Sequence, residues 1–426
     1  MIHIIKKILT NNNNFLYKYF LSPISNNIDT KNYNFTLSYP LRYKDSTFPK
    51  FKYAIYFDNE DPAAILQVDK WFSQGFFTKN NTLVLFRIYS SSVKKHINFL
   101  ENNNYHFYAY RVLKNLDLSK SNIKFMFYPF NSFTNPVLIK NRSIKHIWIA
   151  HGESDKLASV NPMIRMYDFI FAAGDISIER FLHYKIINSL DIEKKVIKVG
   201  IPYLNAPNLK LPQRNNMKIL YAPTWEGVEI NQQYSSLEDN FGLNIINKLN
   251  TIYPKTSLYY MPHPSTGIKI SSYIEDTKNI ILKNKYQKDF HLIQNKNSFI
   301  YPYLADIIKP QNHISTAVDL QQYDLVITDI SSILANLIFY KVNYLVLVKQ
   351  QVEKYHLNNN SDMKKDMPLL SLSTIIYENQ IDSLKDKITL ELTSKKDLKY
   401  NKLISVQPQN NHEQSIDYYI KIMEKL

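Results

Sequence analysis

Residues 323–340 read YDLVITDISSILANLIFY. The apolar run Leu325–Val326–Ile327 predicts a buried strand, Thr328–Asp329 a polar turn, and Ile333, Leu334, Leu337, Ile338 and Phe339 one face of a helix. Asp or Ser is the expected cap of that helix. In an open α/β sheet the carboxyl ends of the strands face the ligand crevice. A helix N-terminus there offers free N–H groups and the positive end of a dipole, which suits a phosphate. Ser331 and Ser332 add hydroxyls at the same point. Alone, the stretch reads equally as an ordinary βα unit, so the rest of the chain must supply partners.

Other strand signals surround it. FKYAIYF (51–57), TLVLFRI (82–88), HFYAY (106–110), IKFMFY (123–128), IKHIWIA (144–150), YDFIFAA (167–173) and KVIKV (195–199) form a first series. Helical spacing over 92–102 and 177–184 falls between strands, which predicts a parallel sheet with helices on both faces. Pro202, Pro207 and Pro212 with several Asn mark a linker. MKILYAP (217–223), LYYMPHP (258–264), residues 323–329, YLVLV (344–348) and STIIYE (373–378) form a second series. The expected organisation is an N-terminal extension (1–50), a first α/β domain (51–203), a linker (204–216), a second α/β domain (217–410) and a C-terminal helix (411–426). A cleft between two such domains is a favoured ligand site.

The bulk properties narrow the function classes. The chain has 426 residues, 45% hydrophobic, and no cysteine, which excludes disulfides, Cys-based zinc sites and a Cys nucleophile. Its net charge of +15 suits a polyanionic partner, but Lys, Asn, Ile, Tyr and Phe are abundant together, as an AT-rich coding bias would also produce. No DNA- or RNA-binding signature accompanies the charge, so nucleic acid is not an expected partner. No signal peptide is expected at the N-terminus, and no apolar run reaches the roughly 20 residues of a membrane span. Ile4, Ile5, Ile8 and Leu9 share a helical face beside Lys6 and Lys7, which fits either an interfacial helix or a frayed basic terminus.

Four strand ends carry polar clusters: His151–Gly152–Glu153–Ser154–Asp155–Lys156, Thr224–Trp225–Glu226, His263 between Pro262 and Pro264, and Asp329–Ile330–Ser331–Ser332. A histidine titrates near neutrality and can act as a general base, with Glu153 or Asp155 to orient it. His263, stiffened by two prolines, suits a fixed donor to phosphate oxygens. Trp225 can stack a base or pack a domain edge. Singly, each residue also has an ordinary structural reading. No paired carboxylates or His spacing predict a metal, and neither a Walker lysine, a dinucleotide fingerprint nor a nucleophile elbow is present.

Taken in order, these clusters resemble the CDP-glycerol glycerophosphotransferases, the family of teichoic-acid primases and polymerases. The resemblance rests on His151–Gly152 with Lys156, Tyr167–Asp168 with Ala173–Gly174, Val199–Gly200–Ile201–Pro202, Ile219–Leu220–Tyr221–Ala222–Pro223–Thr224–Trp225, Pro262–His263–Pro264 and Thr328–Asp329–Ile330–Ser331–Ser332. It spans roughly residues 145 to 350. It implies a GT-B-like α/β fold, two Rossmann-like domains with parallel sheets facing across a cleft. It implies His151 as the base on the acceptor hydroxyl, His263 on the donor phosphates, Ser331 and Ser332 on the diphosphate, and Thr224, Trp225 and Asp329 near the nucleotide. Gly152, Glu153, Asp155 and Lys156 would line the acceptor side or orient the base. No metal and no cofactor are implied beyond the CDP-linked donor. The implied partners are a nucleotide-activated polyol-phosphate or sugar donor, an anionic glycan or lipid-linked acceptor, and the inner face of the cell membrane, with the protein cytoplasmic and peripheral.

The chain departs from the family at three places. Glu153 follows His–Gly where Thr is usual, and Glu226 and Met261 stand where Arg is usual. The His151–Lys156 form resembles members linked to capsule and other surface polysaccharides. The competing expectations are a metal-independent glycosyltransferase using a nucleotide-sugar, and a non-catalytic glycan-binding or assembly protein.

Overall fold

The computed structural model describes residues 51–59, 61, 64–87, 93–110, 118, 121–204, 216–227, 233–287, 289–294, 298–305, 307, 313–314, 318–359, 361–394, 396–404 and 415–426. The proposed N-terminal extension, with its Ile4–Leu9 face, and residues 205–215 of the linker lie outside them.

The first sheet holds β1 (Tyr53–Phe57), β2 (Thr82–Arg87), β3 (Phe107–Tyr110), β4 (Phe125–Tyr128), β5 (Lys145–Trp148), β6 (Phe169–Ala172) and β7 (Val196–Lys198), in the order β3-β2-β1-β4-β5-β6-β7. The second holds β8 (Lys218–Ala222), β9 (Ser257–Tyr260), β10 (Phe290–Ile293), β11 (His313–Ile314), β12 (Leu325–Thr328), β13 (Tyr344–Val348) and β14 (Thr374–Tyr377), in the order β11-β10-β9-β8-β12-β13-β14. Every pairing in both sheets is parallel. β10 and β11 are additions to the sequence reading; both are short, and β11 has two residues.

The strands read as unbroken apolar runs because both faces are covered. In β1, Tyr53, Ile55 and Phe57 enter one core while Ala54 and Tyr56 enter another. In β8, Leu220 and Ala222 separate from Ile219 and Tyr221 in the same way. The helix Ile416–Met423 ends the chain on the first sheet's core: Ile416, Tyr419, Ile420 and Met423 pack with Phe76 and Phe171. The Ile416 N–H donates to the Phe76 carbonyl at 2.9 Å.

Each sheet reverses its winding once. In the first, β1 lies between β2 and β4. In the second, β8 lies between β9 and β12, with Thr328 paired to Ala222. Ligand crevices open at such reversals, outside the carboxyl ends of the strands. The two domains share an apolar core in which Ala173, Ile176 and Ile201 pack with Leu334, Val346, Leu369 and Leu370. The fold is therefore GT-B-like: two Rossmann-like domains whose parallel sheets face across a cleft. Among the described residues, no helix is long and apolar enough to cross a membrane.

Candidate active site in the interdomain cleft

The first domain contributes the loop after β5. Ala150 sits at φ +56°, a left-handed conformation that costs a non-glycine residue on the order of 1 kcal/mol. That turn throws His151 out of the sheet and into the cleft. His151 Nδ1 lies 2.9 Å from the Pro129 carbonyl, and its ring stacks on Phe130 at 4.7 Å. A carbonyl can only accept, so Nδ1 carries the proton and Nε2 keeps its lone pair. Burial between the domains lowers the pKa of His151, and the Pro129 contact opposes this; the charges of Lys70 and Lys156 lower it further. The neutral, proton-accepting form is thereby favoured.

Glu153 and Asp155 do not orient this histidine. Both turn toward Arg180, which is 2% exposed. Asp155 Oδ1 lies 3.3 Å from Arg180 Nη1, and Oδ2 accepts the N–H of Leu370 in the second domain at 2.8 Å. Glu153 also accepts from Ser177 Oγ at 2.8 Å. A buried guanidinium needs paired carboxylates, and these two supply them. Their work is to hold the loop and the domain contact. Gly152 approaches the second domain so closely that an added Cβ would lie 3.3 Å from Ser332 Cβ.

Lys156, expected on the acceptor side, crosses the cleft instead. Its ammonium donates to Thr224 Oγ1 at 2.9 Å. Burial pushes its pKa down to about 8; the charge of Asp329 opposes this and that of Lys269 adds to it.

The second domain supplies the other wall. Asp329, fully buried, does not face a ligand: Oδ2 accepts the N–H groups of Thr224 at 2.8 Å and Ser236 at 3.0 Å. Expected near the nucleotide, it instead ties the end of β12 to the end of β8. Burial raises its pKa to about 7, against those bonds and the charge of Lys156. The expected side-chain cap is absent from the helix Ile333–Phe339: Ser332, at its N-cap, makes no capping bond. Ser331 is half-buried and Ser332 exposed at the cleft.

His263 is set by its own loop. Its Nδ1 accepts the N–H of Ser265 at 3.1 Å, so the ring proton sits on Nε2. Burial, followed by the charge of Lys156, lowers its pKa to about 3. Its ring lies parallel to Trp225, 5.7 Å between centroids and 10° apart. Lys269 Nζ stands 4.3 Å from the centroid of the Trp225 ring.

His151, Lys156, Thr224, His263, Ser331 and Ser332 thus meet at one cleft. Lys70, Lys269 and Arg180 were not singled out from sequence, because isolated cations carry no spacing signal; topology alone brings them here. Among the described residues, no group of three or more His, Cys, Asp or Glu side chains could hold a metal ion.

No protein-family model and no curated protein matches the chain. Among solved structures, a variant of the wall teichoic acid polymerase TagF is similar over 88% of this chain and 89% of its own, at 15% identity and a TM-score of 0.46. Anabaena HepE in complex with UDP and glucose matches over 88% and 100%, at 10% identity and 0.43. The lipopolysaccharide outer core galactosyltransferase WaaB matches over 88% and 99%, at 11% identity and 0.42.

Proposed function

We propose that the chain is a metal-independent transferase that moves a polyol-phosphate, of the glycerol-phosphate type, from a CDP-linked donor to a hydroxyl of a growing cell-surface glycan. The observation that carries this reading is the pair of opposite tautomers across the cleft. His151 offers a lone pair at Nε2, and His263 offers a proton at Nε2. Phosphoryl transfer at a diphosphate needs both, a base for the incoming hydroxyl and donors for the oxygens that gain charge.

In the proposed reaction the acceptor oxygen attacks the phosphorus that bears the polyol. Its proton passes to His151 Nε2. The bond from that phosphorus to the bridging oxygen breaks, and the electron pair leaves with CMP. Lys156 and the Nε2–H of His263 neutralise the leaving phosphate, and the Ser331–Ser332 turn presents hydroxyls and N–H groups to the diphosphate. Positioning and charge neutralisation supply most of the acceleration in such reactions. The net charge of +15 suits an anionic acceptor at the inner membrane face.

A donor screen with CDP-glycerol, CDP-ribitol and common UDP-sugars, reading CMP or UDP release, tests the reading. CMP release with a new phosphodiester in the product NMR spectrum is expected. UDP release with a new glycosidic bond would replace it with a glycosyltransferase.

A further inference from the structure

The loop 265–270 is built by a carboxylate that the proposed chemistry leaves unused. Glu226 is 1% exposed, and its oxygens accept the N–H groups of Gly267 at 3.1 Å, Lys269 at 2.8 Å and Ile270 at 3.2 Å. Gly267 turns at φ +87°, and a Cβ there would come within 2.3 Å of Ile274 Cγ1. The turn therefore requires glycine and is pinned in place. Its consequence is the position of Lys269, exposed, with its ammonium above the Trp225 indole. Trp225 follows Thr224, the residue that Lys156 reaches from the other domain, and lies against His263.

Two ammonium groups from different domains and the Nε2–H of His263 thus gather around the Thr224–Trp225 turn. The carboxylates nearby are already engaged: Asp329 is sealed beneath the strand ends, and Glu226 is occupied by three backbone donors. An exposed cation over an indole gains about 0.5–1 kcal/mol. A charge-assisted bond to a phosphate oxygen is stronger, so an arriving anion would draw the ammonium off the ring.

We propose that Lys269 is the second cation of a diphosphate subsite, resting on Trp225 when the subsite is empty and moving onto the phosphate farther from Lys156 when it fills. Glu226 sets its reach by fixing the turn. The inference rests on the reading of this cleft as the donor site.

Calorimetric titration of the full chain with inorganic pyrophosphate and with CMP tests it. Lys269→Gln is expected to weaken pyrophosphate binding about tenfold and to change CMP binding little, while Lys156→Gln weakens both. Pyrophosphate should also change the indole emission of the wild type, and Trp225→Phe should lose that change, because Trp71 and Trp148 are only 1% and 3% exposed. Equal pyrophosphate affinity in wild type and Lys269→Gln, or no binding at millimolar pyrophosphate, would overturn the proposal. Lys269-dependent pyrophosphate binding without CMP release from any CDP-linked donor would leave the subsite standing and remove the reaction assigned to it.

Discussion

His151 and His263 are held in opposite tautomers by backbone groups, one from the loop after β4 and one from the loop of His263 itself. The Pro129 carbonyl takes the Nδ1 proton of His151, and the Ser265 N–H occupies Nδ1 of His263. Both Nε2 atoms are left for chemistry, one as acceptor and one as donor. Neither assignment needs a carboxylate partner. This explains how Glu153 and Asp155 can be committed to Arg180 without disabling the cleft.

His151 is the first place to test the division of labour. His151→Gln should lower kcat about 10²- to 10⁴-fold, the usual weight of a general base. The variant should fold normally, since His151 lies in the cleft and outside the apolar cores of both domains. Because the pKa of His151 is lowered from 6.5, its titration should make wild-type activity rise with pH only below that value and leave it level from there until Lys156 titrates. A full acidic limb retained in His151→Gln would assign the titration to another group.

His263 acts without titrating near neutrality. With its pKa lowered to about 3, it stays neutral where the unfolded histidine, at 6.5, takes up a proton. The unfolded state then binds more protons across that window, so this site loses stability as pH falls from 6.5 toward about 3, by at most about 1.4 kcal/mol per pH unit. His263→Gln removes the histidine from both states. Its denaturant midpoint, compared with wild type, should gain steadily on acidification. Activity should fall about 10²- to 10³-fold at every pH, as when a fixed donor to a developing charge is lost. Parallel stability profiles for the two proteins would refute the buried neutral form.

The charge of Lys156 sets an alkaline limit. With its pKa lowered to about 8, the free protein loses this cation as pH rises through that value. The profile of kcat/KM reports groups of the free enzyme. It should therefore fall by about tenfold per pH unit above about 8 as Lys156 deprotonates. Lys156→Arg keeps the charge to much higher pH and should move or abolish that limb, even if its reach lowers the plateau. An unchanged alkaline limb in Lys156→Arg would show that another group controls it.

The fold was legible because parallel strands buried on both faces write themselves as apolar runs, and polar residues at their ends mark one rim of each sheet. β10 is hard to read from sequence because it has only four residues, Phe290–Ile293, and His291 interrupts the apolar run. Within the site, His151, Thr224, His263 and Ser331 stand out in the sequence because each lies within three residues of the carboxyl end of a strand. The partners of Glu153, Asp155 and Asp329 were not legible. Arg180 stands 25 residues from Asp155, and Ser236 stands 93 from Asp329. Such pairings are set by how helices and loops return to the sheet, and no local pattern records them. For the same reason the reach of Lys156 across the cleft to Thr224 has no signature in the sequence.

Gly152 measures how closely the two walls must meet. Its φ of +157° and its approach to the Ser331–Ser332 turn leave little room for a side chain, since a Cβ would stand 3.3 Å from Ser332 Cβ. Gly152→Ala should therefore press the His151 loop away from the helix Ile333–Phe339 and separate the base from the diphosphate side. A displacement of about 1 Å can cost on the order of 10²-fold in rate, so the smaller shift that a 3.3 Å contact demands should cost less, roughly several-fold. Ser332→Gly removes the atom that is struck. If closure is what the alanine impairs, Ser332→Gly should restore part of kcat to Gly152→Ala, whereas in the wild type it only removes a hydroxyl from the diphosphate side and lowers activity. The two substitutions would then be non-additive, as expected for residues in contact. The part not restored is the backbone strain of alanine at that φ. Strictly additive losses in the double variant would mean that Gly152 and Ser332 do not meet in the working state.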